Sequence, residues 1–187
     1  MQLLRISKKP NKMKILNTKF NGLKTIEGMK FEDSRGYFRE IFLEKLFKKK
    51  KFIFWCMSKS KKNVLRGMHL QTKKTQTKII SVVKGKILDV VIDCRLKSKN
   101  FGKHFKTILS EKNCKSLLIP SGFAHGFLAL DKENIIFYGS NNYRSANSEV
   151  TISWDDPSVN IKWPSVKKII SNKDKSGISF KEFVKKN

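Results

Sequence analysis

The stretch Asn63-Val64-Leu65-Arg66-Gly67-Met68-His69-Leu70-Gln71 has the length and composition of a β-strand, with a glycine near its centre. A second stretch of this kind, Ile119-Pro120-Ser121-Gly122-Phe123-Ala124-His125-Gly126-Phe127, follows further along the chain. The chain has 3 histidines, and each of these stretches contains one of them. Histidine is the side chain best suited to move a proton near neutral pH. His69 and His125, at strand–turn junctions, therefore indicate a functional site on a β scaffold.

The rest of the chain is a series of short strand-like runs separated by turns. These runs occupy residues 37–42, 77–83, 86–94, 105–109, 116–119, 127–130 and 135–138. Lys84-Gly85 lies between two of them and predicts a hairpin turn. Residues 44–51 favour a short amphipathic helix, and residues 165–183 can hold helical turns. Short strands at nearly regular spacing predict an all-β sandwich or barrel.

Length and composition indicate a single domain. The 187 residues suffice for one core, and we expect a Lys- and Asn-rich extension at residues 1–12 before a domain at 13–187. No apolar run has the length of a membrane span, so we expect no membrane insertion. The N-terminus does not have the pattern of a signal peptide. Cys56, Cys94 and Cys114 are odd in number and lack metal-ligand spacing, which favours a reducing, cytoplasmic setting.

The net charge of +26 is of a size found in nucleic-acid-binding proteins. The lysines are spread over the whole chain, however, and no helix-turn-helix, zinc-finger or RNA-recognition signature accompanies them. We therefore interpret them as a solvated surface and expect no nucleic-acid partner. A positive field would still attract a phosphorylated substrate.

The histidine stretches leave two interpretations open. On a regular strand Arg66 and Met68 share one face, so His69 converges with Arg66 only if Gly67 breaks the alternation. Catalysis and a hydrogen-bonded core histidine are both compatible with His69. His125, between two glycines, favours a packed imidazole inside a barrel.

The sequence gives no sign of a metal or cofactor site. Metal-binding barrels usually combine a closely spaced histidine pair with a carboxylate and a third histidine. The chain has no His-x-His, and its remaining histidine, His104, has a polar context. A nucleophile elbow, a phosphate loop and a dinucleotide fingerprint are also missing. We therefore expect acid–base chemistry by side chains, with no catalytic metal and no cofactor.

Five motifs, in their order along the chain, resemble the dTDP-4-dehydrorhamnose 3,5-epimerase family. The resemblance covers residues 15–174 and implies a cupin-type jelly-roll β-barrel with short C-terminal helical segments, usually a homodimer, that needs no metal or cofactor. The motifs are Arg35-Gly36-Tyr37-Phe38-Arg39-Glu40, Val64-Leu65-Arg66-Gly67-Met68-His69-Leu70-Gln71, Pro120-Ser121-Gly122-Phe123-Ala124-His125-Gly126-Phe127, Trp154-Asp155-Asp156-Pro157 and Ile161-Lys162-Trp163-Pro164.

The resemblance also implies a reaction and its residues. The substrate would be a nucleotide-diphosphate 4-keto sugar, dTDP-4-dehydro-6-deoxy-D-glucose, inverted at C3 and C5 to dTDP-4-dehydro-L-rhamnose. His69 matches the base, Asp174 its carboxylate partner and Tyr138 the acid. The substrate-contacting positions of the family match Arg35, Glu40, Arg66, Lys78, His125, Glu149 and Lys173.

Three positions depart from the family pattern. Phe54-Trp55-Cys56 replaces a polar stretch, Arg144 follows Tyr143 where an aromatic pair is common, and Gly139-Ser140 follows Tyr138 where Lys-Thr is frequent. If residues 54–56 line the cleft, we expect an altered sugar or nucleotide preference; the alternative is that they pack in the barrel core. An epimerase of one carbon, or of another nucleotide-linked 4-keto sugar, therefore stays open, and so does a non-catalytic sugar-binding barrel.

Overall fold

The computed structural model describes residues 12–47 and 51–186, and these residues form an all-β fold with two short α-helices near the C-terminus. The strands are β1 Lys14–Asn17, β2 Lys24–Glu27, β3 Lys30–Asp33, β4 Gly36–Arg39, β5 Phe54–Lys61, β6 Val64–Gln71, β7 Lys78–Lys84, β8 Lys86–Asp93, β9 His104–Ser110, β10 Lys115–Ile119, β11 Phe123–Ala129, β12 Glu133–Ser140, β13 Glu149–Thr151 and β14 Ile169–Ile170. The helices are α1 Asn172–Lys175 and α2 Phe180–Lys186, and 3₁₀ turns cover Glu44–Phe47 and Ala146–Ser148.

Two sheets face each other and form the barrel. One has the strand order β1-β2-β10-β7-β12-β5, and the other has the order β13-β6-β11-β8-β9 with β14 parallel to β6. The remaining pairs of these two sheets are antiparallel. A separate two-stranded hairpin of β3 and β4 stands outside both sheets. The all-β barrel predicted from the sequence is confirmed.

The alternation of side chains along β8 shows how the core is divided. Ile87 and Val91 point between the two sheets, where they join Ile80, Leu117 and other buried residues of the barrel interior. Leu88, Val90 and Ile92 face outward and pack under the C-terminal segment, which carries α2. Because both faces of β8 are buried, the strand is a nearly continuous apolar run. One residue interrupts this run, and it is the carboxylate Asp89.

The outer face of the sheet that contains β5 is covered by residues 40–47 and 51–53. Phe47 of the 3₁₀ turn is buried there with Met13 and Ile79. The predicted helix at 44–51 is therefore present as one short turn, and residues 48–50 lie outside the described part of the chain. The extension expected at residues 1–12 stays a prediction, since residues 1–11 also lie outside it.

The prediction of a hairpin at Lys84-Gly85 is wrong, because the two predicted strands are present but do not pair with each other. β7 pairs with β10 and β12, whereas β8 pairs with β9 and β11 in the opposite sheet. The turn therefore crosses the edge of the barrel. Gly85 has a φ of 80°, and an added Cβ would stand 2.3 Å from the carbonyl oxygen of Glu133, so the corner requires glycine.

Candidate active site

A cleft of about 400 Å³ opens between the two sheets, with β5 and β12 on one wall and β6 and β11 on the other. The cleft brings together most of the predicted site residues, which are Arg66, His69, Lys78, His125, Tyr138, Glu149, Lys173 and Asp174. The predicted contacts Arg35 and Glu40 do not line it.

His69 and Asp174 form a hydrogen-bonded pair in the cleft. His69 Nε2 lies 2.5 Å from Asp174 Oδ1, and the Asp174 side chain is 5% exposed. Ser171 caps α1 by accepting a hydrogen bond from the backbone N–H of Asp174, which fixes the start of the helix that carries the carboxylate. Burial opposes ionisation of Asp174, but hydrogen bonds from His69 and the Gly67 N–H outweigh it and lower its pKa. An ionised Asp174 orients the imidazole and stabilises its protonated form.

A β-bulge in β6 explains how Arg66 and His69 reach the same cleft. His69 is opposite His125 on β11, whereas Arg66 is opposite Phe127, so β6 contains one more residue than β11 over this interval. An extra residue reverses the alternation of side chains. Gly67 lies within the bulge with a φ of 124°, and an added Cβ would stand 2.5 Å from the Cα of Gly126. The required break in the alternation is thus present.

His125 is part of a second buried pair. Its Nε2 lies 2.7 Å from Oδ2 of Asp89, and both side chains are nearly inaccessible. Burial raises the pKa of Asp89, and the interaction with His125 offsets only part of this increase. Asp89 was not among the predicted site residues. The carboxylate within the apolar run of β8 is a sequence signal that could have pointed to it.

Tyr138 lies on the wall opposite His69. Tyr138 belongs to β12 of one sheet, and His69 belongs to β6 of the other. The Tyr138 hydroxyl is hydrogen bonded to Ser58 Oγ at 2.8 Å. The pKa of Tyr138 is raised, mainly by burial, so the phenol stays protonated in the resting site. The imidazole of His69 and the phenol of Tyr138 therefore approach the cleft from different sheets.

Charged residues surround the remaining part of the cleft. Burial lowers the pKa of Lys78, while the charge of Glu149 counteracts this effect. Glu149 accepts hydrogen bonds from Lys173 Nζ at 2.5 Å and from Arg144 Nε at 3.0 Å. Burial opposes ionisation of Glu149, but these two partners lower its pKa overall. Arg144, which was not among the predicted site residues, therefore contributes a cation to the cleft.

The remaining predicted contacts differ in their positions. Arg66 lines the cleft while donating to Ser60 Oγ at 3.1 Å. Arg35 lies at the tip of the β3–β4 hairpin, where its side chain is 88% exposed and is paired with Asp33 at 2.7 Å. Glu40 follows β4 directly.

The stretch Phe54-Trp55-Cys56 divides between two environments. Phe54 and Cys56 line the cleft, because alternate residues of β5 share a face. Trp55 points to the outer face and stacks on Phe137 with ring centroids 5.4 Å apart. The expectation that this stretch lines the cleft is therefore correct for two residues and wrong for Trp55.

Two further observations bear on the class of protein. Within residues 12–47 and 51–186, no group of three or more His, Cys, Asp or Glu side chains could hold a metal ion. The same part of the chain contains no helix that is long and apolar enough to cross a membrane. A β-barrel cleft with a His–Asp pair on one wall and a tyrosine on the other has the parts of an acid–base isomerase.

Comparison with known proteins identifies the family. Residues 17–182 match the dTDP-4-dehydrorhamnose 3,5-epimerase model. The chain is similar to the dTDP-4-dehydrorhamnose 3,5-epimerase of Shigella flexneri, with 39% identity over 174 residues that cover 90% of this chain and 96% of that protein. The chain therefore belongs to the dTDP-4-dehydrorhamnose 3,5-epimerase family and is an isomerase.

Solved structures agree with this assignment. The RmlC epimerase of Legionella pneumophila in complex with dTDP-4-keto-L-rhamnose has a TM-score of 0.86 and 37% identity, covering 90% of this chain and 93% of that one. A 3'-monoepimerase from Streptomyces bikiniensis in complex with dTDP-quinovose has a TM-score of 0.83 and 23% identity, covering 88% and 86%. At this identity the second likeness concerns the fold alone. The cupin-type barrel expected from the sequence is thus confirmed.

Proposed function

We propose that the protein inverts C3 and C5 of dTDP-4-dehydro-6-deoxy-D-glucose and releases dTDP-4-dehydro-L-rhamnose. The observation that carries this proposal is the geometry of the cleft, in which the His69–Asp174 pair and the Tyr138 hydroxyl belong to opposite sheets. Inversion of a carbon requires a base on one face and an acid on the other, and this arrangement supplies both.

The proposed mechanism begins at the base. The C–H bonds at C3 and C5 are acidic because each is adjacent to the C4 ketone. His69 removes one of these protons, and the electron pair moves onto the C4 oxygen as an enolate. Asp174 stabilises the imidazolium that forms. The ammonium of Lys78, which is buried in the cleft, is the candidate for the enolate oxygen, because a preorganised cation stabilises charge that develops in the transition state. Tyr138 then donates a proton to the carbon from the opposite face, which inverts the centre.

The nucleotide-diphosphate part of the substrate requires cations. Arg66, Arg144 and Lys173 line the same cleft as the acid and the base. A guanidinium can bind phosphate oxygens with two parallel hydrogen bonds, and an ammonium binds them as a point charge. His125, held by Asp89, contributes a further hydrogen-bonding group. The net charge of +26 adds a long-range attraction for the diphosphate.

We further propose a homodimer, and the exposed β3–β4 hairpin supports it. The hairpin carries Phe31, Tyr37 and Phe38 with 51%, 51% and 65% of their surfaces exposed. A cluster of exposed aromatic side chains is typical of a protein interface. If the hairpin packs against a second copy of the chain, Arg35 and Glu40 reach the cleft of that copy, where the family resemblance assigns them substrate contacts. Analytical ultracentrifugation distinguishes the dimer from the monomer.

The reaction would take place in the cytoplasm. The described cysteines Cys56, Cys94 and Cys114 are all unpaired, which is common in a reducing compartment.

An epimerase of one carbon is the second candidate, and Phe54 and Cys56 favour it. An aromatic ring and a thiol in the cleft offer few hydrogen bonds to sugar hydroxyls, so this cleft holds the sugar with fewer polar contacts than a polar stretch at these positions would provide. The experiment that separates the candidates is incubation with dTDP-4-dehydro-6-deoxy-D-glucose in D₂O. Nuclear magnetic resonance of the product counts the deuterons at C3 and C5. We expect deuterium at both carbons; deuterium at one carbon supports the second candidate, and none at either contradicts both.

A further inference from the structure

Ser58 is placed to assist the acid of the site. Tyr138 on β12 is directly opposite Cys56 on β5, and Ser58 lies two residues further along β5 on the same face. The oxygens of Ser58 and Tyr138 are 2.8 Å apart. β5 is the outermost strand of its sheet, and Ser58 is half-buried. Ser58 therefore connects a buried phenol with the edge of the barrel.

The direction of this hydrogen bond matters for the reaction. If the Tyr138 hydroxyl donated to Ser58, its proton would point away from the substrate. If the Ser58 hydroxyl donates to the Tyr138 oxygen, the tyrosine proton is free to face the cleft. The second arrangement also stabilises the phenolate that remains after the proton is transferred, because a hydrogen bond to the charged form favours it.

A buried phenolate has to be protonated again before the next inversion. With substrate in the cleft, water cannot approach Tyr138 from the side of the sugar. The side that remains is that of β5, where Ser58 makes the hydrogen bond. Inversion of two carbons requires this step between the first and the second carbon, while the sugar is still bound.

We propose that Ser58 is a positioning residue that directs the Tyr138 proton into the cleft and passes a proton from solvent to the phenolate between the two inversions. In this step the Ser58 Oγ–H bond breaks as the Tyr138 O–H bond forms, and a water molecule replaces the serine proton. The hydroxide that remains takes the proton that the His69 imidazolium releases, so that water is restored and the charges balance. The inference rests on the proposed two-carbon epimerase.

The test compares Ser58→Ala and the matched pair Ser58→Thr and Ser58→Val with the wild type. Threonine and valine have nearly the same shape, and both suit a β-strand, but threonine alone keeps the hydroxyl. Lys59→Ala is the control, because the side chain of Lys59 is on the opposite face of β5, where it pairs with Glu133 at 2.6 Å. Each protein is incubated with dTDP-4-dehydro-6-deoxy-D-glucose in D₂O, with enzyme in excess, and the reaction is quenched at intervals. The measured quantity is the ratio of singly to doubly deuterated sugar.

With enzyme in excess, we expect Ser58→Ala and Ser58→Val to accumulate the singly deuterated sugar. In a separate steady-state assay, kcat should fall by about 10- to 100-fold, which is less than the effect of losing the acid itself, with little change in KM. Ser58→Thr should restore the ratio and most of the rate, and Lys59→Ala should match the wild type. A ratio equal to that of the wild type in both Ser58→Ala and Ser58→Val would overturn the role of Ser58, even if the rate falls, since a structural defect alone slows both inversions. If the wild type itself incorporates no deuterium, the proposed function fails instead.

Discussion

The indole of Trp55 packs against Gly139 on the neighbouring strand, so that a Cβ at residue 139 would stand 2.6 Å from the ring. The two residues are direct cross-strand partners of β5 and β12. Both occur where the sequence departs from the family pattern, one in Phe54-Trp55-Cys56 and the other after Tyr138. The two departures are therefore one structural feature, in which a missing side chain makes room for a large ring.

The contact between Trp55 and Gly139 predicts a coupled effect on stability. Trp55→Ala should lower the free energy of unfolding by about 2–4 kcal/mol through lost packing with Phe137 and Phe42. Gly139→Ala should lower it by about 1–3 kcal/mol through overpacking. In the double variant the alanine has no ring to meet, so the loss should be smaller than the sum by about 0.5–3 kcal/mol. Urea unfolding measures all three; strictly additive losses would mean that the two residues do not share this contact.

Phe54 and Cys56 should control substrate preference because they face the cleft. The double variant Phe54→Gln, Cys56→Asn restores polar groups at the two positions that line it. We expect its kcat/KM ratio for dTDP- over UDP-linked 4-keto sugar to change by about tenfold or more, since a hydrogen-bonding site discriminates more strongly than an apolar one. Met57→Ala, with its exposed side chain on the other face of β5, is the control. An unchanged ranking of substrates would leave these residues with a packing role.

The sequence predicted the strands and the location of the site more reliably than the pairing of the strands. The composition of each run is local, so β7 and β8 were found within a residue or two. Whether the turn at Gly85 joins partners or crosses to the other sheet depends on contacts with distant strands, and the local pattern favoured the wrong answer. His69 was found because a histidine and a glycine within a strand are conspicuous.

Other features of the site depend on tertiary structure. The convergence of Arg66 with His69 depends on a bulge against β11. From the sequence, this convergence could be predicted only on the condition that Gly67 breaks the alternation of side chains. Serine and arginine are common on protein surfaces, so Ser58 and Arg144 do not stand out in the sequence. Their hydrogen bonds to Tyr138 and Glu149 are seen only in the folded chain. The resemblance to a family, rather than any local pattern, connected Asp174 with His69.

Tyr138→Phe should separate proton removal from inversion. The substitution removes the proposed acid but keeps the ring and leaves His69 paired with Asp174. We expect exchange of substrate protons with solvent to continue, while formation of the L-sugar falls by about 10²–10⁴-fold. Nuclear magnetic resonance in D₂O measures both quantities in one sample. Tyr143→Phe, which alters a tyrosine that is 65% exposed, serves as the control. Formation of the L-sugar at the normal rate by Tyr138→Phe would mean that another group supplies the proton.

Asp93 predicts a pH-dependent contribution to stability. Its buried carboxylate accepts hydrogen bonds from Arg95 Nη2 and Ser98 Oγ, both at 2.6 Å. Burial opposes ionisation, but these bonds outweigh it, so the pKa of Asp93 is lowered from its usual 3.8. A lowered pKa in the folded state stabilises the protein above the unfolded pKa, and this stability is lost as the pH falls through the folded pKa.

Asp93→Asn should therefore cost roughly 1–3 kcal/mol of unfolding free energy at neutral pH, as expected for hydrogen bonds to a charged group. The difference from the wild type should stay constant from neutral pH down to the usual pKa of an aspartate and shrink below it. Urea unfolding at a series of pH values measures the difference. A difference that grows in acid would have the wrong sign for a carboxylate with a lowered pKa.

His69 is the proposed base for both carbons, and Oδ1 of Asp174 lies 2.5 Å from its Nε2. The most direct measurement is deuterium incorporation at C3 and C5 of dTDP-4-dehydro-6-deoxy-D-glucose by His69→Asn beside the wild type. The control is His104→Asn, because His104 binds the carbonyl of Val159 outside the cleft. We expect exchange at both carbons to fall by about 10²–10⁴-fold in His69→Asn, with the control unchanged. Exchange at either carbon above about a tenth of the wild-type rate, far more than loss of a general base allows, would contradict the assignment.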